Sequence, residues 1–324
     1  MKTLARLRPR ISALAALAIS AVGLTVSLTV PASAASWTSY PTATGPRLCT
    51  STRVYGNINY QTCLDYSTFS RSSVRAITFV HAVGAGYASV SGSMTTSSGA
   101  LAYSCANSYF SAGLSRACAS SWKTVTAVNS NNTNVSINGS SALRLKVVQG
   151  RPGGKKQETN NYCGVAVIQA ALLRMGFTGR AQSTIANYVW TNWLGMTLPS
   201  KMDDGLNVYM GSASYKYVQY DRSSTNDSIV QMAASISRNR PTPLLVRPHD
   251  LPGGGGGLHP LTRHWLLVDG YAGTISPSGA LVTDRVSYWD PWTTETSTLT
   301  PNQLAYAAIS AGYSSVGQIT YVSS

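Results

Sequence analysis

Cys163 is the residue of this sequence best placed to act as a nucleophile. It stands immediately before Gly164–Met175, where Val165, Val167, Ile168, Ala170, Ala171, Leu172 and Leu173 make almost every face of a helix apolar. Thiolate, not thiol, attacks carbonyls. The unbonded N–H groups and dipole of a helix start favour that negative charge. A buried structural cysteine is the plainer alternative at such a position. Gln157 lies six residues upstream. Its side-chain amide, with the backbone N–H of Cys163, can form an oxyanion hole, and a solvated loop glutamine is the alternative. His264 opens the apolar run Trp265–Gly270, so its imidazole stands at a strand start where it can serve Cys163 as a base. His81, His249 and His259 compete for that role. His81 lies in the first half of the chain, and the other two flank the glycine run Gly253–Gly257. Asp290 follows the apolar segment Val286–Trp289 and precedes Pro291-Trp292. It can orient the second ring nitrogen of His264, with Asp269 and Asp284 as alternatives. Asp269 stands five positions beyond His264, an odd separation that turns it to the opposite face of a strand. Thiolate, imidazole, carboxylate and amide together are equipment for acyl transfer through a thioester.

These groups require elements to hold them. Helices are predicted over Gly164–Met175, with Asn160 or Asn161 as its cap and Gly176 as its stop, then over Ala181–Trp193 and Asp227–Asn239. Strands are predicted over Pro243–Arg247, Trp265–Gly270, Leu281–Thr283, Val286–Trp289 and Gln318–Val322. Thr300-Pro301 opens a last helix reaching about Ala311. Trp265, Trp289 and Trp292 bracket the expected His and Asp, with Trp289 expected in the core. The glycine run reads as a loose loop rather than a flap. His249, Asp250, His259 and His264 match no closed zinc spacing, so neither metal nor cofactor is expected.

The sequence Gln157-Glu158-Thr159-Asn160-Asn161-Tyr162-Cys163-Gly164-Val165-Ala166, then His264-Trp265-Leu266-Leu267-Val268-Asp269-Gly270-Tyr271, then Asp290-Pro291, resembles the C39-like group of papain-fold cysteine peptidases. The resemblance covers about Gln157–Ser324. It implies an α+β fold in which a papain-like domain, a helix packed on an antiparallel sheet, carries Cys163 as nucleophile, His264 as base, Asp290 as orienter and Gln157 as oxyanion donor. Val165 stands where the family usually has proline, and the stretch around Ala272–Asp284 is longer than its pattern. No transporter domain accompanies the site, so the double-glycine specificity of the peptide-exporter branch does not carry over directly.

The first half of the chain reads differently. Arg53–Tyr60, Val74–Ala82, Gly86–Ser93, Lys123–Val128 and Leu143–Val148 are short, rich in β-branched or aromatic residues, and separated by Ser, Gly and Asn clusters. Asn131, Asn132, Asn134 and Asn138 mark a polar turn region. Cys49, Cys63, Cys105 and Cys118 allow three pairings, of which Cys49–Cys63 with Cys105–Cys118 is the simplest. Either bridge would contribute about 3 kcal/mol in the chain-entropy picture. The expected organisation is an export signal over 1–34, a small disulfide-stapled β-sandwich-like domain over 35–148, a linker over 149–156 and the peptidase-like domain over 157–324.

Composition sets the compartment and partners. Of 324 residues, 44% are hydrophobic and only 11% charged, which excludes wholesale disorder. Lys2, Arg6, Arg8 and Arg10 precede an apolar stretch from Ile11 to Val30, and Ala32-Ser33-Ala34 offers a signal-peptidase site. A Sec-type signal and a secreted protein are expected. Removing those four basic residues takes the formal charge from +14 to +10. An anionic cell surface is then a natural partner. No run of basic residues or known fingerprint points to nucleic acid, and a monomer acting on peptides or proteins is expected. The alternatives are an acyl-transfer or isopeptide enzyme on the same triad, and a non-catalytic surface-binding protein.

Overall fold

Alternation of buried and exposed residues builds most of the first half of the chain. A computed structural model describes residues 33–43, 45–67, 72–96, 98–125, 127–150, 154–221, 225–252, 263–310 and 318–323. The expected export signal, apart from Ser33–Ala34, lies outside these residues. So do the glycine run and His259. The first half forms β1 (Ser33–Ala34), β2 (Arg47–Cys49), β3 (Arg53–Tyr55), β4 (Ile58–Tyr66), β5 (Ser73–Ala82) and β6 (Gly86–Thr96). It continues with β7 (Gly99–Phe110), β8 (Ser115–Ala119), β9 (Lys123–Thr124), β10 (Val128–Ile137), β11 (Ser140–Ser141) and β12 (Arg144–Gly150). One sheet runs β2-β4-β5-β8, and a second carries β1-β7-β6-β10-β12. Leu48, Ile58, Leu64 and Val80 from the first meet Val90, Met94, Val135, Ile137 and Val147 from the second in one apolar core. Disulfides Cys49–Cys63 and Cys105–Cys118 are both present. The first joins neighbouring strands β2 and β4, and the second ties β7 of one sheet to β8 of the other.

The second half adds α1 (Cys163–Arg174), α2 (Gln182–Tyr188), α3 (Thr191–Leu194), α4 (Pro199–Met210), β13 (Lys216–Asp221), α5 (Thr225–Ser237) and β14 (Thr242–Val246). It ends with β15 (His264–Ile275), β16 (Leu281–Trp289), β17 (Thr296–Leu299), α6 (Pro301–Ser310) and β18 (Gln318–Ser323). The whole is mixed α/β, about 44% strand and 23% helix. β15 joins the halves. Along one edge it pairs first with β14, over His264–Val268, and then with β12, over Gly270–Ile275. β16 takes the other edge. Buried on both faces for nearly its whole length, β15 reads as a continuous apolar run rather than an alternating one. Leu245, Trp265, Leu267 and Trp289 face α1 and α4. Leu244, Val246, Leu266, Val268 and Tyr288 face α5 and α6. The sheet is thus sandwiched between two helical layers, with α1 buried along almost every residue.

Several expectations need correction. The linker expected at 149–156 begins inside β12, where Gln149 pairs with both Asn129 and Gly270. One sheet therefore passes through the expected boundary, and all described residues fall in one compact unit, Pro31–Ser324. The asparagine-rich segment is the central strand β10, not a turn; only Asn138, at φ 51°, sits in one. Asn131 is fully buried and donates to Thr62 Oγ1 (2.7 Å) and the carbonyl of Cys63 (3.0 Å). Its own oxygen accepts from Tyr103 and Thr133 at 3.0 Å. A polar side chain can occupy a core strand when each of its groups is bonded. Arg53–Tyr60 is a hairpin turning at Gly56 (φ 55°). The helix expected over Ala181–Trp193 breaks at Trp190, which adopts a left-handed backbone, φ 59°. Helix α4 and strand β13 were not expected. Gly205 lowers the helix propensity of α4, but a Cβ there would stand 2.8 Å from Val189 and 2.9 Å from Ile168, so close helix packing requires it. The segment around Ala272–Asp284 forms the distal ends of β15 and β16 and the turn between them.

Candidate active site

Helix α1 opens without a side-chain cap. Its N-cap is Tyr162, and neither Asn160 nor Asn161 takes that role; Asn161 Oδ1 instead accepts from Thr159 Oγ1 (2.7 Å). The first turn carries no acidic residue, so none of its own carboxylates offsets the positive end of the helix at Cys163. Gly164 is required beside it. A Cβ at that position would lie 2.5 Å from Thr197 Cβ and 3.0 Å from Trp265 Cδ1. Cys163 is the free cysteine and is 4% exposed.

His264 is the first residue of β15 and fully buried. Its Nε2 is 2.8 Å from Asp290 Oδ1. That leaves Nδ1 as the ring nitrogen able to meet the Cys163 thiol, with which the ring interacts. Burial alone lowers the imidazole pKa. Hydrogen bonding to Asp290 and Cys163, and their charges, outweigh burial and raise it to about 9. The ring is therefore held as an imidazolium at neutral pH.

Asp290 begins the turn between β16 and β17. Its Oδ1 also accepts from the backbone N–H of Trp292 (2.7 Å), and its carbonyl accepts from Thr294 N–H (2.8 Å). This local turn bonding fixes the carboxylate before His264 meets it. The two other aspartates do different work. Asp269 accepts from Arg174 Nη1 (2.8 Å) and Ser287 Oγ (2.8 Å), and Gln149 donates to Ser287 Oγ (3.0 Å). This buried network ties the end of α1 to β15, β16 and β12. Asp284 accepts from Arg53 and the Ser51 N–H, linking β16 to the first half of the chain.

Gln157 is also brought here. Gln182, fully buried, donates to the carbonyl of Lys156 (2.8 Å) and accepts from Glu158 N–H (3.0 Å), gripping both neighbours of Gln157. The backbone N–H of Gln157 donates to Pro291 O (3.0 Å), next to Asp290. Its side-chain Nε2 donates one hydrogen to Thr159 O (2.8 Å), and a second amide hydrogen remains for a ligand. Its Oε1 is buried with no protein partner. The competing histidines are elsewhere: His81 pairs with Ser115 in the sandwich, and the His249 side chain is 89% exposed.

A cavity of about 210 Å³ opens beside Cys163, lined by Leu194, Met196, Leu245 and Trp265, with Asn161 and Arg263. Sequence reading did not single out the segment 194–196. The one signal was the surplus of aromatic residues near it, Tyr188, Trp190 and Trp193, more than a helix of that length can bury. No protein-family model matches the chain, and no curated protein sequence matches it.

Proposed function

We propose that this chain is an exported cysteine peptidase with a papain-like catalytic half. The observation that carries this is the convergence of Cys163 at an uncapped helix start, His264 at a strand start and Asp290 in the following turn. The Cys163 proton already resides on His264 Nδ1 when Cys163 Sγ attacks a peptide carbonyl carbon. The carbonyl oxygen becomes an oxyanion, held by the Cys163 backbone N–H and the uncommitted hydrogen of Gln157 Nε2. His264 then protonates the departing amine as the C–N bond breaks, leaving a thioester on Cys163. Water, deprotonated by His264, attacks the thioester and releases the acid. Asp290 keeps the ring oriented and favours its protonated form throughout. Two disulfides are compatible with an oxidising compartment outside the cell, and among the described residues no helix is long and apolar enough to cross a membrane. The basic net charge favours residence at an anionic surface.

The test is alkylation of the reduced protein by iodoacetamide near pH 6, with hydrolysis of an unfolded protein substrate followed alongside. The expected result is rapid modification of one thiol, slowed in His264→Ala and absent in Cys163→Ala, with hydrolysis lost in both variants. A wild-type thiol that reacts no faster than free cysteine would overturn the proposal.

A further inference from the structure

The outer face of the second sandwich sheet carries a site of its own. Strand alternation buries Met94, Asn131 and Val147 toward the sandwich core, so their neighbours Thr95, Ser130, Asn132 and Lys146 project from the opposite face. Cross-strand pairing gathers them. Ser130 stands between Thr95 and Val148, and Asn132 stands beside Lys146. The C-terminal end of α5 lies over this face, with a cavity of about 540 Å³ between them. That size falls within the ~300–1,000 Å³ typical of small-molecule sites. Exposed Thr95, Ser237 and Arg238 line the cavity, so it opens to solvent. Val148 and Tyr271 belong to the core on the α5 side of the sheet, so the cavity lies on the face away from α1 and Cys163.

The helix end is fixed before anything binds. Ser237 Oγ donates to the Ala233 carbonyl (2.9 Å) and lies 2.6 Å from the hydroxyl of Tyr271 on β15. Tyr271 is the strand partner of Val148 in the cavity floor. A site so held loses little order when filled. The last carbonyls of α5 would repel an anion if they were bare. They are occupied: Ser235 O accepts from the N–H groups of Arg238 and Arg240, and Ile236 O from that of Asn239, each at 3.0 Å. The charged residues lining the cavity, Lys146 and Arg238, are both cationic. Among the described residues that line it there is neither a carboxylate nor an aromatic ring, so it offers no stacking surface to a nucleobase. Hydroxyls of Thr95 and Ser130 and amides of Asn132 and Asn239 supply both donors and acceptors, and Val128 and Val148 supply an apolar floor. The hydroxyls and amides suit a polyol, the floor suits the C–H face of a sugar ring, and the cations suit an acid attached to it.

We propose that this cavity binds an acidic saccharide, a sugar chain bearing carboxylate or phosphate groups. Lys146 and Arg238 hold the acid, and Thr95, Ser130 and Asn132 bond the sugar hydroxyls. The site stands independently of the peptidase proposal. It gives the basic chain a defined hold on an anionic glycan, rather than a diffuse attraction to any negative surface.

Isothermal titration calorimetry of the purified protein tests it. Trigalacturonate is compared with neutral galactotriose, and glucose 6-phosphate with glucose and with inorganic phosphate. At least one acidic sugar is expected to bind ~10-fold or more tightly than its neutral counterpart, the factor that a hydrogen bond to a charged group supplies. The tighter acidic sugar identifies the acid as carboxylate or phosphate. Lys146→Ala should remove most of that advantage, and Arg238→Gln part of it. Lys123→Ala, on exposed β9 of the other sheet, should leave it unchanged. Asn132→Ala should weaken the acidic sugar and leave inorganic phosphate unaffected. Alkylation of Cys163 should proceed at the wild-type rate in all four variants, which reports an intact fold and keeps this test apart from that of the nucleophile. Several results would overturn the site: no heat from either acidic sugar, equal binding of neutral and acidic sugars, inorganic phosphate binding as tightly as the better acidic sugar, or an equal loss in Lys123→Ala and Lys146→Ala.

Discussion

Replacing Asp290 by Asn tests the electrostatics of the site at its centre. The imidazole of His264 is fully buried, and desolvation is the largest influence on it, favouring the neutral ring. Asp290 supplies the first of the opposing effects, through the 2.8 Å hydrogen bond and its charge. An opposite charge at that distance moves a pKa by about one to three pH units. Asp290→Asn should therefore drop His264 from about 9 to between about 6 and 8. The change also appears in stability. With the folded value above the unfolded 6.5, folded His264 holds more protons than unfolded His264 between pH 6.5 and 9. Its stabilisation is complete below pH 6.5, falls as pH rises, and is gone above pH 9, by about 3 kcal/mol in all. The variant should lose less across that interval. NMR titration of isotope-labelled histidine, with His264 assigned by its absence in His264→Gln, gives the midpoint. Urea unfolding on both sides of the interval gives the stability difference. A midpoint unchanged in Asp290→Asn would show that the carboxylate does not hold the imidazolium and would refute the triad electrostatics.

Three further perturbations have defined outcomes. Arg174→Met strands the buried Asp269 carboxylate and should cost about 3–5 kcal/mol by urea unfolding; adding Asp269→Asn should recover part of it. Gly164→Ala drives a methyl into Thr197 and Trp265, so a loss of about 1–3 kcal/mol is expected. Asn131→Ala leaves Thr62, Tyr103 and the Cys63 carbonyl short of partners in the sandwich core, costing about 1–3 kcal/mol. Its effect should appear in thermal unfolding with no change in the alkylation rate of Cys163.

Much of the site was legible because its residues lie at the boundaries of strongly patterned elements. Cys163 precedes a helix apolar on all faces, and His264 precedes an apolar strand. Asp290 stands where a strand gives way to Pro291. Such boundaries can be read from local composition. The choice among Asp290, Asp269 and Asp284 could not be settled that way. It depended on which carboxylate Arg174 and Arg53 had already claimed, and both partners are distant in sequence. Gln157 is a similar case. Its place beside the site depends on Gln182 and Pro291, neither of which marks it in the sequence. The wall at 194–196 was hidden because Trp190 leaves the right-handed helix, a break with no glycine or proline to announce it.

The sequence by itself offered most of the local elements of the second half and the simplest disulfide pairing, and it marked Cys163 and His264 as the thiol and imidazole to watch. Those follow from periodicity, spacing and residue chemistry, which act over short stretches of chain. Only the tertiary structure decided that β10 is a core strand despite its asparagines, because satisfying Asn131 takes partners from two other strands. Only it decided that the sheet runs unbroken from the first half of the chain into the helix-flanked second half, because β14 and β12 come together along one edge of β15. Pairing between segments more than a hundred residues apart leaves no local pattern. It arises when chain-distant edges find each other and water is excluded from both faces.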